Sequence, residues 1–354
     1  VELLGKVLER GCKSVAVVGM AKNTGKTVTL NCLVREATLT GVRLGLTSCG
    51  RDGETQDLLW HNPKPTIWAP RGTLLGTARG VLPLASAKLQ VIRETQYSSA
   101  LGAICLVEVL AEGFVQLAGP SFAKHLAAVV RDLSRLGADL VLVDGAFDRL
   151  ASAAPTVTAG LILATGAVLG PDPEEVLALT KVRVEQIMVP GISQKRLLST
   201  GTRLGAVNLW LEDGSLVDTK LPTAIGESAA IAQLSQAGNI QGILLKGALT
   251  EDTVSAVKAA LEARGGFILI VSDPTRIFLS PRSWQDFHTS GGQVLARCPL
   301  QLLTLTINPY SPSGPSFDPD HFLTLARQTF PHLPVFNPGQ GPGAFHAGFS
   351  TSSG

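Results

Sequence analysis

The most constraining feature of this chain is a passage in which an apolar run, Lys13 to Val18, leads through Gly19-Met-Ala-Lys-Asn-Thr-Gly25-Lys26-Thr27 into a segment of helical spacing that stops at Gly41. A buried strand that turns through glycines straight into a helix makes a concave array of backbone N–H donors, suited to a chain of phosphates. Gly-Lys-Ser/Thr alone is expected by chance about 0.2 times in such a chain. The strand before it and the helix after it lower that figure about tenfold. In this reading Gly25 lets the backbone approach closely, the Lys26 ammonium lies on the β and γ phosphates, and the Thr27 hydroxyl ligates Mg²⁺. Gly19, Asn23, Thr24, Gly25, Lys26, Thr27 and Val28 are the expected nucleotide-binding residues. Five residues separate Gly19 from Gly25 where the common pattern has four, so Met20 takes the usual first-glycine slot.

The first half alternates short β-type runs with helical segments, the pattern of a mostly parallel sheet covered by helices. Strands are expected at Val42 to Ser48, Asp139 to Val143 and Gly160 to Ala164. Helices are expected at Lys26 to Thr40, at Phe122 to Leu136, and after Pro171, where Asp172, Glu174 and Glu175 favour a helix start. An insertion at about 51–120 carries strand candidates at Pro65 to Trp68 and Ala103 to Leu110. Further on, Ile240 to Lys246, the helix Glu251 to Arg264 capped by Thr250, and Phe267 to Val271 read as a βαβ unit. The expected fold is α/β: a P-loop NTPase domain over 1–190 with a mostly parallel sheet flanked by helices, then a second α/β region over 191–338. That second region includes the strand Leu302 to Ile307, and the Gly- and Ser-rich segment 339–354 is expected to be a disordered tail.

Composition narrows the partners. Of 354 residues 45% are hydrophobic and 16% charged, with a net charge of +2, and no basic cluster suggests nucleic acid or an anionic membrane. The apolar stretches fall far short of the roughly 20 residues of a membrane helix. The mixed-charge N-terminus is unlike a signal peptide. Five scattered cysteines without a C-x-x-C pair fit free thiols in a reducing cytoplasm, the expected location.

Two further segments bear on the phosphate chemistry. Leu140-Val-Leu-Val-Asp144-Gly145 is an apolar strand ending in an acid, so Asp144 is expected to hold Mg²⁺ directly or through water. Ser48-Cys-Gly-Arg51-Asp52-Gly-Glu54 follows the next strand, where ligands of open α/β sheets bind. Asp52 or Glu54 could ligate Mg²⁺ or orient an attacking water, and a solvated loop is the alternative. The expected catalytic set is thus Lys26, Asp144, Asp52 and Glu54, with Thr27, Asp144 and Asp52 on the metal. The six histidines have no metal-ligand spacing. Thr180-Lys181 lacks the aspartate of a guanine-reading motif, which favours ATP over GTP.

Several segments together resemble the reactivating-factor subunits that accompany adenosylcobalamin-dependent lysine 5,6-aminomutase and ornithine aminomutase. They are Gly19 to Thr27, Leu46-Thr-Ser-Cys-Gly-Arg-Asp-Gly-Glu54, Gly113-Phe-Val-Gln-Leu-Ala-Gly-Pro-Ser121, Val143-Asp-Gly-Ala146 and Ala164-Thr-Gly-Ala167. The resemblance implies a chaperone-like ATPase (reactivase) using ATP and Mg²⁺ to help release damaged cobalamin from the aminomutase, with a MutS-like subunit as companion. Lys26, Thr27 and Asp144 would carry the nucleotide. No Asp-x-His-x-x-Gly is present, so the cobalamin would belong to the client. The five-residue glycine spacing also resembles the phosphate loop of dethiobiotin synthetases, which implies an ATP-dependent ligase acting on a small carboxylate as the alternative. Homo-oligomerisation is compatible with either reading.

Overall fold

A computed structural model describes residues 2–50, 67–145, 153–193, 204–312 and 314–340. The chain divides into two units, Val1–Thr180 with Gln301–Gly354, and Lys181–Leu300. The first begins with α1 (Glu2–Glu9), β1 (Ser14–Gly19), α2 (Lys26–Thr40) and β2 (Leu44–Ser48). After residue 66 come β3 (Ile67–Ala69), β4 (Leu74–Ala78), β5 (Lys88–Ser99), β6 (Gly102–Ala111) and β7 (Gly113–Val115). Then follow α3 (Ala123–Arg135), β8 (Leu140–Gly145), β9 (Gly160–Gly166) and α4 (Pro173–Ile187).

The second unit contains β10 (Val207–Leu211), β11 (Leu216–Asp218), α5 (Ser228–Ser235), β12 (Ile240–Leu245), β13 (Leu249–Thr250) and α6 (Glu251–Arg264). It continues with β14 (Phe267–Val271), β15 (Ile277–Phe278), α7 (Pro281–Thr289) and β16 (Gly292–Ala296). The chain then re-enters the first unit with β17 (Leu302–Asn308), α8 (Pro319–Thr329) and β18 (Val335–Phe336).

Among the described residues the first unit carries a nine-stranded sheet in the order β18-β17-β9-β1-β8-β2-β4-β6-β5. The seven strands from β18 to β4 are parallel, and the β5–β6 hairpin closes one side antiparallel. The central strands are buried along nearly their whole length, which is why they read as continuous apolar runs rather than alternating ones. On one face Val15, Val17, Leu44, Leu46, Leu140 and Leu142 pack with Leu3, Leu4 and Val7 of α1 and Leu30, Leu33 and Val34 of α2. On the other, α3 lies against β2, β4 and β8.

Two expectations about the chain's division change. The strand at 302–307 belongs to the first sheet, where β17 pairs with β9, and not to a C-terminal domain. Six of its seven residues are buried, so it needs cover on both faces, and the outer edge of β9 supplies the pairing. The units also divide at Thr180–Lys181, within α4, rather than between 190 and 191. The insertion likewise joins the main sheet through β4, β6 and β5. Its first part, 51–66, and the expected tail beyond 340 lie outside the described residues.

The second unit has its own five-stranded sheet, β11-β10-β12-β14-β16, in which β12, β14 and β16 are parallel and β10 runs against β12. The β12-α6-β14 crossover coincides with the βαβ unit expected from the sequence. Its core gathers Ile243, Leu245, Val257, Leu261, Phe267, Leu269, Trp284 and Phe287. No helix among the described residues is long and apolar enough to cross a membrane.

One polar contact inside the first core stands out energetically. Glu36 of α2 is buried, and its carboxylate accepts the Leu4 backbone N–H at 2.7 Å, taking one of the donors that the start of α1 cannot satisfy internally. The Cys32 thiol lies 3.8 Å from the same carboxylate, and burial, reinforced by the Glu36 charge, pushes its pKa up to about 11. Replacing Glu36 by Leu should destabilise the fold by about 1–3 kcal/mol, the cost of a stranded buried donor, as read from urea-unfolding midpoints. The thiol gives a pH dependence of known sign. Between its ordinary value of 9.0 and about 11 the unfolded chain releases the proton and the folded chain keeps it, so stability falls as pH rises through that window. A Cys32→Ser variant should show a flatter decline in unfolding midpoint across the same window.

Candidate functional site

The parallel order brings the carboxyl ends of β1, β2, β8, β9 and β17 to one edge of the first sheet. β1 pairs with β8 on one side and with β9 on the other, while the chain leaving β1 through α2 returns at β2. Such a reversal of strand order opens a crevice outside the carboxyl ends, where ligands of open α/β sheets bind. All five resemblance segments meet this edge within their described residues. Gly19 to Thr27 leaves β1, Leu46 to Gly50 leaves β2, Val143 to Gly145 ends β8, and Ala164 to Ala167 spans the end of β9.

The fifth segment reaches the edge through hydrogen bonds. Gly119 N–H donates to Ser48 Oγ at 2.9 Å, and Gly50 N–H donates to the Pro120 carbonyl at 3.2 Å. A Cβ on Gly119 would overlap the Ser48 carbonyl oxygen, so only glycine allows this approach. Cys49 N–H donates to the Asp144 carbonyl at 3.0 Å, extending the β2–β8 pairing beyond Ser48 opposite Asp144.

The Gly19–Thr27 loop is held by two neighbouring strands and by one hydrogen bond of its own. Met20 N–H donates to the Ala164 carbonyl of β9 at 2.9 Å, and the buried Thr24 hydroxyl donates to the Ala21 carbonyl at 3.0 Å. Asn308, the last residue of β17, donates its Nδ2 to the Asn23 carbonyl at 2.9 Å. Asn23 adopts φ +66°, in the left-handed region where asparagine is one of the few tolerated side chains. Gly25 follows at φ +90° and forms the N-cap of α2 without a side-chain capping bond. A Cβ there would come within 2.9 Å of the Asn308 Cβ. One turn on, the Thr29 hydroxyl donates to the Gly25 carbonyl at 3.1 Å and lies 2.9 Å from the Thr306 hydroxyl of β17.

This arrangement leaves a 15-residue helix whose first turn has no side-chain cap, its positive dipole end directed at the crevice. Lys26 and Thr27 are half-buried at its start, and Val28 is exposed. Asp144 is half-buried on the adjacent strand, opposite Val17 of β1 on one side and Ser48 of β2 on the other. The expected residues Gly19, Asn23, Thr24, Gly25, Lys26, Thr27, Val28 and Asp144 therefore share one sheet edge. Asp52 and Glu54, with Arg51, lie outside the described residues. Among the described residues no group of three or more His, Cys, Asp or Glu could hold a metal ion. A cation here would draw on the Thr27 hydroxyl, the Asp144 carboxylate, water and the oxygens of the ligand it accompanies.

Sequence reasoning gave Thr306 and Asn308 no role at the site. Their signal is the alternation of Thr304, Thr306 and Asn308 within an otherwise apolar strand, which directs polar groups to one face. Compared with known proteins, the chain matches no family model, no curated protein and no solved structure. Replacing Asn308 by Ala should accelerate backbone amide exchange across residues 21–25 and leave α6 unchanged, as read by hydrogen–deuterium exchange. The expected stability loss is about 1 kcal/mol, the usual net value of one hydrogen bond.

Proposed function

We propose that the Gly19–Thr27 loop is a phosphate-binding P-loop and that the first unit binds ATP with Mg²⁺. The observation that carries this reading is a glycine N-cap in left-handed conformation opening the uncapped α2, with Lys26 and Thr27 in its first turn and Asp144 on the neighbouring strand end. The loop N–H groups and the helix dipole would hold the phosphate oxygens, and the Lys26 ammonium would neutralise their outer charge. Mg²⁺, when bound, would be held by the Thr27 hydroxyl and the Asp144 carboxylate and would neutralise phosphate charge.

The biological use of that site is proposed to be reactivation of an adenosylcobalamin-dependent aminomutase, with a MutS-like subunit as companion. The support is that the segments resembling those of reactivating factors extend beyond the phosphate loop, through β2, the Gly113–Ser121 stretch, β8 and β9, and meet on one edge. Nucleotide turnover would then act through the protein surfaces adjoining that edge.

ATP with Mg²⁺ should raise the thermal midpoint of the wild-type protein, and Lys26→Ala should abolish that rise. An equal rise in the variant would remove the phosphate-loop reading. ATP hydrolysis should increase on adding an aminomutase carrying inactivated cobalamin together with its companion subunit. Stimulation by small carboxylates alone would point instead to a ligase of the dethiobiotin-synthetase type.

A further inference from the structure

Asn308 does more than steady the phosphate loop. Its Nδ2 donates to the Asn23 carbonyl at 2.9 Å while its Oδ1 accepts the Tyr310 backbone N–H at 3.2 Å, so one side chain ties the loop to Tyr310. The segment after it closes on itself, with Phe317 N–H donating to the Pro309 carbonyl at 2.8 Å and Ser311 N–H to Ser316 Oγ at 3.2 Å. The Tyr310 backbone is thereby held beside the candidate site. Its side chain is nonetheless 56% exposed and stacks on no other aromatic ring among the described residues.

Direction follows from strand order. Asp144, next to last in β8 on one side of β1, would hold the metal, which puts the terminal phosphate on that side. An extended nucleoside triphosphate anchored at the β1 edge must carry its sugar and base the other way, over β9 and β17. β17 lies two strands from β1, roughly 10 Å across the sheet at the usual strand spacing. That is also about the reach from the middle of a triphosphate to its base. Tyr310, two residues past the end of β17, brings a large flat side chain, exposed at its surface, to that side of the site.

We propose that Tyr310 is the base-stacking residue of the nucleotide site, its ring covering one face of the nucleobase. This rests on the phosphate-loop reading and adds a second point of contact, since stacking recognises the base and not the phosphates. Aromatic stacking tolerates any base, so Tyr310 would add affinity without choosing between adenine and guanine.

The test compares ATP with inorganic tripolyphosphate, which has the phosphates and no base, by calorimetric titration in Mg²⁺. Tyr310→Ala should weaken ATP binding about 5- to 100-fold, the range that base stacking on an aromatic ring supplies, and change tripolyphosphate binding less than about twofold. Tyr310→Phe and Tyr310→Trp should keep ATP affinity near the wild-type value. Equal losses for both ligands in Tyr310→Ala would mean that the residue acts only by supporting the loop, and unchanged ATP binding would mean that it makes no contact; either overturns the inference. Failure of the wild-type protein to bind ATP and tripolyphosphate would instead overturn the phosphate-loop reading itself. Far-ultraviolet circular dichroism of each variant identifies any that fail to fold.

Discussion

The pairing of β1 with β8 on one side and β9 on the other is the constraint on which the first unit depends. Once β1 is buried on both faces, its continuation has to leave through the carboxyl edge and turn back as a helix against the sheet. That turn is tight, so backbone conformation is forced at two positions, Asn23 and Gly25. The loop is steadied from outside by β9, whose Ala164 carbonyl takes the Met20 N–H, and by β17, whose Asn308 bonds the Asn23 carbonyl. A turn held this way loses little conformational entropy on accepting a ligand, which is the physical meaning of preorganisation in a binding site.

Much of this edge was legible in the sequence. Continuous apolar runs such as Leu140 to Val143 marked buried strands, and Gly41 marked where a helix ends. The local chemistry of Gly19 to Thr27 likewise pointed to a strand, a turn and a helix start, because all three signals are encoded within a few residues. What could not be read was the origin of the support. Asn308 lies 285 residues from Asn23. Nothing in local periodicity says that β17 pairs with β9 rather than with the strands that immediately precede it. Long-range strand pairing is decided by which edge remains open and by burial on both faces, and these are properties of the assembled sheet.

The cores carry the same lesson on a finer scale. Glu36 reads in sequence as one more polar position on a helix, yet it is buried and serves the start of α1. A charge in that setting is tolerated because a backbone donor meets it at hydrogen-bond distance. Burial, reinforced by the Glu36 charge beside it, accounts for the reluctance of the neighbouring Cys32 thiol to ionise.

The return of the chain through β17 bears on how the molecule assembles during synthesis. Because Lys181–Leu300 is inserted within the first unit, residues 181–300 emerge from a ribosome before Asn308 does. Domains made in sequence order tend to fold as they appear. Here the unit that begins the chain cannot be finished first: its loop at 19–27 would have the β9 contact early but would wait for Asn308 until the inserted unit had been made.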